Sequence, residues 1–332
     1  MKIIIDAFGG DNAPLEIIKG TMLAVDEYGI DAVLVGDEKK IESCISENNI
    51  TVKNTEIVDA KGVISMCDDA KCVLKEKSDS SMAVGFKLLS EGKGDAFVSA
   101  GNTGAVTVGA TFITKRIKGV KRPAIASVMP SAKKPILLMD CGANAECRPE
   151  HLYQFGLMGS LYMKNILKYE NPTVALANNG TEETKGTPIV KEAYELMKNA
   201  PYNFIGNIEG RQIPFGDADV IVADGFTGNL ILKMYEGVAK VLMSSIKDAF
   251  MKNTLTKLAY LGVKSGIDDM KKQFDYKDYG GAVMLGVKKP VIKAHGSADA
   301  RTFKNAIKQA VWFLENDLIA CIEKNIDKPK EA

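Results

Sequence analysis

Two side chains in this sequence are placed for acid–base or anion chemistry. His295 follows a predicted strand, Pro290–Lys293, and precedes a glycine, a setting that suits a general acid or base. A histidine that only caps a turn is the alternative there. Lys185 lies between Gly180 and Gly186 in the loop after another predicted strand, where its cation suits a phosphate or an oxyanion. A solvated loop lysine is the alternative at that position.

Two similar segments add glycine-rich turns. Asp95–Ala105 aligns with Asp219–Asn229 without a gap at an offset of 124 residues, and each segment reads as a strand, a Gly-x-Thr-Gly turn and a helix start. Glycine lets a backbone approach an anion closely, and the first N–H groups of a helix attract negative charge. Alternatively, such turns need glycine whatever they bind. The residues predicted to contact phosphate or substrate are Gly101, Asn102, Thr103, Gly104, Gly225, Thr227 and Gly228, and Asn229 is assigned to catalysis.

Two more loops of the same composition follow predicted strands. Gly9, Gly10 and Asp11 come after the first strand of the chain, and Asn144 comes in the loop after a later one. Open α/β sheets place their ligands at the carboxyl ends of the strands. We therefore expect the five loops, including that of Lys185, to form one polar cleft that accepts an anion.

Other chemistries lack their sequence signals. Neither GxGxxG, GxxxxGK[ST] nor GxSxG is present, which disfavours dinucleotides, nucleoside triphosphates and a serine acyl-enzyme. The six cysteines form no CxxC pair and the two histidines lie far apart, so neither a metal site nor a disulfide is expected. His151, at a predicted helix start, is interpreted as structural. A net charge of +1 argues against broad nucleic-acid binding.

Short apolar strands alternate with helical stretches through most of the chain. This alternation predicts a mainly parallel sheet with helices on both faces. No Pro- or Ser-rich linker interrupts it, so residues 1–326 are predicted to form one packed unit and 327–332 a frayed tail. The predicted strands are Lys2–Asp6, Ala32–Gly36, Asp95–Ala100, Ala124–Met129, Ile136–Asp140, Thr173–Asn178, Asn203–Asn207, Asp219–Asp224 and Pro290–Lys293, and the predicted helices lie near 14–29, 104–116, 149–168, 186–199 and 299–325.

Residues of about 230–275 predict a helical hairpin that projects from the sheet. Its first helix has an apolar stripe, for which dimer or core packing is one explanation. The segment 255–264 combines apolar side chains with flanking lysines, which is typical of a reversible contact with a membrane surface. The amino-terminal residues lack the apolar core of a signal peptide, and no apolar run is long enough to span a bilayer. We expect a cytoplasmic protein with peripheral membrane contact.

Eight motifs, in order along nearly the whole chain, resemble those of the bacterial phosphate acyltransferases of phospholipid synthesis, the PlsX family. In the first motif, Phe8 and Asn12 stand where methionine and histidine are common in that family. The missing histidine argues against a required acid–base role at position 12. The motifs are DAFGGDNAP (6–14), KSDSSM (77–82), SAGNTGA (99–105), DCGANA (140–145), GNIEGR (206–211), DGFTGN (224–229), YGGA (279–282) and KAHGS (293–297).

The resemblance implies transfer of a fatty acyl group from acyl carrier protein to inorganic phosphate, which gives an acyl phosphate. It also implies a Rossmann-like three-layer α/β/α fold, a homodimer and no cofactor. Lys185 would stabilise phosphate or the oxyanion, and His295 would orient the substrates or protonate the departing thiolate. The hairpin would guide the acyl chain or meet the membrane, where a glycerol-phosphate acyltransferase consumes the product. The residues predicted for this contact are Leu255, Leu258, Tyr260 and Leu261.

Three alternatives remain open at this point. A phosphotransacetylase-like enzyme that uses acyl-coenzyme A would do the same chemistry, and only the family motifs and the long apolar hairpin favour a carrier-protein donor. A dehydrogenase is weakened by the absent dinucleotide fingerprint. A non-catalytic peripheral membrane scaffold would rest on the hairpin tip alone.

Overall fold

The computed structural model describes residues 1–273 and 280–326, in which eleven strands form one sheet flanked by ten α-helices. The strands are β1 (Lys2–Asp6), β2 (Asp31–Gly36), β3 (Thr55–Asp59), β4 (Ala96–Ser99), β5 (Ala124–Met129), β6 (Ile136–Met139), β7 (Thr173–Asn178), β8 (Asn203–Glu209), β9 (Val220–Val222), β10 (Gly281–Leu285) and β11 (Val291–Ala294). The helices are α1 (Leu15–Tyr28), α2 (Glu38–Glu47), α3 (Ser81–Ser90), α4 (Thr103–Gly109), α5 (Pro149–Asn165), α6 (Pro188–Lys198), α7 (Gly225–Met251), α8 (Thr254–Gln273), α9 (Ala300–Glu315) and α10 (Leu318–Asn325). A π-helical turn, Ala110–Thr114, continues α4.

The order of the strands across the sheet is β3-β2-β1-β4-β11-β10-β5-β6-β9-β7-β8. Seven neighbouring pairs of these strands are parallel, and the three antiparallel pairs lie together at β11–β10, β10–β5 and β5–β6. These three successive reversals make β6, β9, β7 and β8 run opposite to β1 and β4. The carboxyl ends of β4 and β9 therefore lie at opposite edges of the sheet, where an edge means one of the two rows of strand ends.

Helices cover both faces of the sheet and make three layers. On one face, α1, α5, α6, α9 and α10 bury side chains such as Ile17, Phe155 and Phe303 against the strands. On the other face lie α3, α4 and the first turns of α7, where the rings of Phe86 and Phe97 stack at 4.4 Å between centroids. The predicted Rossmann-like α/β/α fold with a mostly parallel sheet is confirmed.

Side-chain caps mark the start of several helices. Asn102 accepts a hydrogen bond from Ala105 N at the start of α4, and Asp224 accepts one from Thr227 N at the start of α7. Asp299 does the same for α9. Such caps satisfy backbone N–H groups that have no partner inside the helix, each for about 1 kcal/mol.

The predicted elements are present, with some corrections. Each predicted strand forms, with its ends shifted by two residues or fewer. Strands β3 and β10 and helices α2 and α3 were not predicted. The single final helix predicted at 299–325 is wrong, because the chain breaks at Asn316 and Asp317, where Asp317 adopts a left-handed φ of 42°, and continues as two helices.

The predicted hairpin is formed by α7 and α8. The rings of Phe250 and Tyr260 pack edge to face at 5.5 Å, next to the connection between the two helices. At the far end of α8, the Gln273 amide donates hydrogen bonds to two carbonyls of the β5–β6 connection, so the helix returns to the sheet. The residues between Gln273 and Gly280, and the predicted tail 327–332, lie outside the described residues.

The hairpin exposes much apolar surface. At its tip, Leu255, Leu258 and Leu261 are 77%, 61% and 68% exposed, while Tyr260 is partly buried. None of the helices in the described part of the chain is both long enough and apolar enough to cross a membrane. The exposed apolar residues along the outer side of α7 are Phe226, Leu230, Met234, Val238 and Val241.

Candidate active site

A cavity of about 400 Å³ lies over the middle of the sheet, in the gap between α4 and α7. The central strands β5, β10 and β11 form its floor, because neither helix covers them there. Thr103 of α4 and Asn229 of α7 line opposite walls. The other lining residues that bear on the chemistry are Met66, Ile125, Ser127, Met129, Cys141, Gly142, Leu232, Lys233, Tyr235, Glu236, Ala239, Lys293, His295 and Gly296.

Lys293 brings a cation to the floor of the cavity. Its Nζ donates to Ala100 O at 3.2 Å and to Ala294 O at 2.5 Å, which holds the ammonium at the carboxyl ends of β4 and β11. Burial, together with the nearby charge of Lys233, lowers the pKa of Lys293 to about 8, although Asp6 and Asp11 oppose the shift. An ammonium with part of its donor capacity unused is suited to an anionic substrate.

His295, Glu236 and Lys233 form a charged cluster on one wall. The Glu236 carboxylate lies 2.9 Å from Lys233 Nζ and 3.8 Å from His295 Nε2. Burial alone would raise the pKa of Glu236, but the contacts with His295 and Lys233 lower it to about 2. The other imidazole nitrogen, His295 Nδ1, lies 2.9 Å from Ser297 Oγ. The ring is therefore held from both sides, with its Nε2 edge towards the cavity wall.

Apolar side chains line the part of the cavity next to α7. Leu232, Tyr235 and Ala239 lie one helical turn apart on its inner side and face Met129 at the end of β5. The Tyr235 hydroxyl donates to Pro130 O at 2.7 Å, so the ring is fixed against the sheet. The cavity therefore combines cations with a hydrophobic wall, as a long acyl substrate with an anionic co-substrate would require.

A buried carboxylate shapes the loop after β6. Asp140 accepts hydrogen bonds from the backbone N–H groups of Ile125, Gly142 and Asn144. The Asn144 amide also donates to Asp140 at 2.9 Å. Burial raises the pKa of Asp140 despite these bonds. The carboxylate thus fixes the backbone of Gly142, which lines the cavity.

The glycines of the second predicted turn pack against this loop. A Cβ at Gly225 would lie 2.7 Å from Asn144 O, and one at Gly228 would overlap Asp140 O. The Asp224 carboxylate caps the same turn through the backbone N and the hydroxyl of Thr227, which sets a negative charge beside it. Close packing is therefore sufficient reason for these glycines, and their contact with phosphate stays a prediction.

The first predicted turn is organised in a similar way. The Asn102 amide donates to three carbonyls, those of Ser65, Met66 and Asp68. Asp6, at the end of β1, lies below this turn and accepts hydrogen bonds from Ser81 Oγ and Ser99 Oγ, both at 2.6 Å. Burial raises the pKa of Asp6. The Gly101–Gly104 turn is therefore tied to the loop that carries Met66 of the cavity lining.

The structure brings only some of the predicted site residues together. Thr103, Asn229 and His295 line the one cavity, so the two predicted turns do meet there although they belong to opposite edges of the sheet. The Gly9–Asp11 loop lies behind the lining, where Asp11 N donates to Gly296 O at 2.8 Å. The five loops do not all lie at one edge of the sheet, because the three antiparallel pairs reverse the second half of the sheet, and one polar cleft formed by all five stays a prediction.

Lys185 lies outside the lining of the cavity. It is exposed in the loop after β7, where Asn178 donates to its carbonyl oxygen and Gly186 adopts a left-handed φ of 95°. β7 is two strands from β6 and ends at the edge opposite to that of β4. The role predicted for Lys185 stays a prediction.

Sequence reasoning missed Lys293 and Glu236. Lys293 is two residues before His295, so both side chains are on one face of an extended segment, and this spacing is the signal that could have found it. Glu236 is on the side of α7 that reads as solvent-facing because of its lysines. The structure turns that side towards the cavity at the base of the helix.

Known proteins resemble this chain along nearly its whole length. The family model described as "Fatty acid synthesis protein" matches residues 1–321. A relative from Alkaliphilus oremlandii is 47% identical over 326 residues, covering 98% of this chain and 97% of the relative, and one from Clostridioides difficile is 44% identical over 332 residues, covering 100% and 98%. Both relatives are named phosphate acyltransferase.

Solved structures share the fold at low identity. A phosphotransacetylase from Streptococcus pyogenes superposes with a TM-score of 0.63 at 17% identity, covering 95% of this chain and 94% of that one. A 4-hydroxythreonine-4-phosphate dehydrogenase from Klebsiella pneumoniae superposes with a TM-score of 0.53 at 14% identity, covering 96% and 98%. At such identities the likeness concerns the fold alone.

Proposed function

The chain belongs to the fatty acid synthesis protein family, and on that premise we propose that it is the acyltransferase that moves a fatty acyl group from acyl carrier protein to inorganic phosphate. A phosphate oxygen attacks the thioester carbonyl carbon, the carbon–sulfur bond breaks, and the thiolate leaves and takes up a proton. The products are an acyl phosphate and a free thiol. No cofactor takes part in this reaction.

The observation that carries the proposal is the joint presence of cations and an apolar wall in one cavity. Lys293 offers an ammonium to phosphate or to the oxyanion that forms on the carbonyl, and Lys233 lies on the adjacent wall. Preorganised charge of this kind is commonly the largest catalytic contribution, and the loss of one donor typically lowers turnover a hundred- to a thousandfold. Leu232 and Tyr235 provide surface for the acyl chain.

His295 is proposed to donate the proton that the departing thiolate takes up. Glu236 holds the ring from one side and Ser297 from the other, which fixes the direction of transfer. Asn229, opposite Thr103, is proposed to position the thioester between the walls. The proposal gives the phosphate contact to Lys293 in place of Lys185, because Lys185 lies outside the cavity lining.

The one thiol among the described lining residues is poorly suited to act as a nucleophile, and this supports direct attack by phosphate. Cys141 is buried, its Sγ donates to Leu138 O, and burial raises its thiol pKa well above the usual value. A thiol nucleophile must ionise to react. Phosphate is already partly dianionic at neutral pH, so the reaction proceeds without an acyl-enzyme.

The donor and the cellular setting are further parts of the proposal. The exposed apolar tip of α7 and α8 supports reversible contact with the cytoplasmic membrane surface, where the glycerol-phosphate acyltransferase would receive the product. The outer side of α7 supports a homodimer, because Leu230, Met234 and Val238 are exposed along one line of the helix.

A parallel assay with two donors tests the proposal. Palmitoyl-acyl carrier protein and palmitoyl-coenzyme A are incubated with and without phosphate, and thiol release and acyl phosphate are both measured. Phosphate-dependent turnover that is faster with the carrier protein is expected. Faster turnover with coenzyme A would indicate a phosphotransacetylase-like enzyme, and thiol release without phosphate dependence from either donor would overturn the proposal.

Two lysine variants locate the phosphate site. Lys293→Met is expected to lower turnover at least a hundredfold. Lys185→Ala is expected to stay within about threefold of the parent, because Lys185 lies outside the cavity lining. A large loss of turnover in Lys185→Ala, with turnover near that of the parent in Lys293→Met, would assign the phosphate contact to Lys185.

A further inference from the structure

One edge of this nearly neutral chain is strongly basic. Residues 115–122 contain five lysines or arginines and no acidic residue, whereas the whole chain has a net charge of +1. The fold adds three more cations to this segment. We call the set the basic patch; its members are Lys115, Arg116, Lys118, Lys121, Arg122, Arg148, Lys288 and Lys289.

Backbone pairing brings the parts of the basic patch together. Arg116 forms an isolated antiparallel bridge with Val287, and Lys288 N donates to Lys115 O at 3.0 Å. The Arg116 guanidinium donates to Lys121 O and so stiffens the segment. All members except Lys289 are exposed, and Lys289 is partly exposed. The nearby acidic groups are Glu146 and Glu150, the second 3.9 Å from Lys121 Nζ.

The basic patch borders the loop that enters the cavity. The Asn144 amide donates to Pro123 O at 2.8 Å, directly after the basic segment. Arg148 closes the same loop, and Gly142 at its start lines the cavity. A partner bound to the basic patch would therefore lie next to one end of the candidate active site.

Two exposed aromatic rings lie at the same edge. Phe112, three residues before the basic patch, is 65% exposed, and Phe226, which follows the glycine that bonds to Asn144, is 69% exposed. Aromatic and arginine side chains are enriched in protein interfaces. The edge thus combines exposed aromatic rings with arginines and lysines, a composition that suits a protein-docking surface.

We propose that the basic patch docks the protein that delivers the acyl group, by contact with an acidic surface on that partner. The proposal rests on the proposed function, since it assumes a protein-borne acyl thioester. The positive charge of the basic patch would steer the partner and orient the partner's thiol arm towards Gly142 and the cavity. The hairpin tip lies at the other end of the 27-residue α7, roughly 40 Å away at 1.5 Å per residue, and this separates the basic patch from a bilayer held by the tip.

Charge reversal tests the docking surface. Lys118→Glu/Lys288→Glu changes two exposed members of the basic patch for which no side-chain contact is described, and Lys39→Glu/Lys191→Glu makes the same change of net charge on α2 and α6. Two donors are compared: palmitoyl-acyl carrier protein and the uncharged thioester palmitoyl-N-acetylcysteamine. The KM for the carrier protein is expected to rise about tenfold in the basic-patch variant only, with the KM for the uncharged thioester unchanged within twofold. The rise should shrink at high salt because exposed charges are screened.

Equal KM values for the carrier protein in both double variants would overturn the docking proposal. Lost flotation of the basic-patch variant with anionic vesicles, at an unchanged KM for the carrier protein, would also overturn it and would assign the surface to lipid. Absence of phosphate-dependent turnover with either donor in the parent would refute the proposed function instead, which keeps the two failures distinguishable.

Discussion

His295 Nε2 lies 3.8 Å from the Glu236 carboxylate, and this contact joins the turn after β11 to the fourth turn of α7. The carboxylate is largely buried, with 12% of its side chain exposed, and it also pairs with Lys233 at 2.9 Å. A charge that is shared between a histidine and a lysine in this way orders both partners. The sheet and the helix are thus connected at the place where the proposed chemistry happens.

Removing this charge should slow the reaction without weakening substrate binding. Glu236→Gln keeps the size of the side chain but loses the ion pair, so we expect kcat to fall about tenfold with KM for phosphate within twofold. Steady-state kinetics at pH 7 measure both constants, and Glu192→Gln on the exposed side of α6 is the control. An unchanged kcat would show that Glu236 has no part in orienting His295.

Phosphate binding should weaken as the pH rises through 8. The pKa of Lys293 is lowered to about 8, so the fraction of Lys293 that is cationic falls between pH 7 and pH 9. KM for phosphate is expected to rise severalfold over this range in the parent. Lys293→Arg, which stays charged, should flatten the profile even if its overall activity is lower. A steep rise that persists in this variant would assign the titration to another group.

The same lysine should make folding stability rise with pH. Its pKa is about 10.5 unfolded and about 8 folded, so the unfolded chain binds more protons between these values. The free energy of unfolding contributed by Lys293 then increases from pH 7.5 to pH 9.5 by roughly 2 kcal/mol. Urea unfolding of the parent and Lys293→Met at both pH values should show the difference between them change by this amount. A constant difference would contradict the lowered pKa.

Two glycines of α7 should respond to alanine in opposite directions. A Cβ at Gly228 would overlap Asp140 O, so Gly228→Ala should lower the free energy of unfolding by about 3 kcal/mol or more. Gly237 has open space around its Cα, so Gly237→Ala should raise it by about 0.5–1 kcal/mol through helix propensity. Thermal unfolding of both variants checks the pair, and equal shifts would refute the packing argument.

The hairpin tip should bind anionic vesicles weakly. Burying a leucine is worth about 1.5–3 kcal/mol and a nearby lysine adds about 1 kcal/mol on an anionic leaflet, so a few such residues give reversible, salt-sensitive binding. Leu258→Glu should reduce vesicle flotation, whereas Leu196→Glu on α6, also at an exposed leucine, should not. Equal flotation of the parent and Leu258→Glu would leave the tip as a packing or substrate-channel element.

Strand positions were predictable because buried parallel strands are short, continuous apolar runs. β3 was missed because it is an outer strand of the sheet with polar residues at both ends, TEIVD, and β10 was missed because it begins at paired glycines. Strand direction was not predictable at all, because the pattern of side chains is the same whichever way a strand runs. The three reversals in the middle of the sheet come from tertiary pairing, and they decide which loops meet.

The candidate site was predictable where a residue type stands at a strand or helix end. His295, Thr103 and Asn229 were found in this way and share one cavity. Lys293 and Glu236 were missed since a lysine in a short strand and a glutamate among lysines on a helix both read as solvent-facing. Their environment depends on how α7 crosses the sheet, which no local pattern contains.

The position of β10 and β11 in the sheet affects how the protein folds during its synthesis. Strands β1 to β4 and strands β5 to β9 are joined in the sheet through this late hairpin, which lies between β4 and β5. Two groups of strands can form early during synthesis, but they remain separate until residues 281–294 have been made. These long-range contacts make folding slow and leave strand edges open meanwhile. Because β10 and β11 also supply the cavity floor, the nascent chain acquires its site and its finished sheet in the same late step.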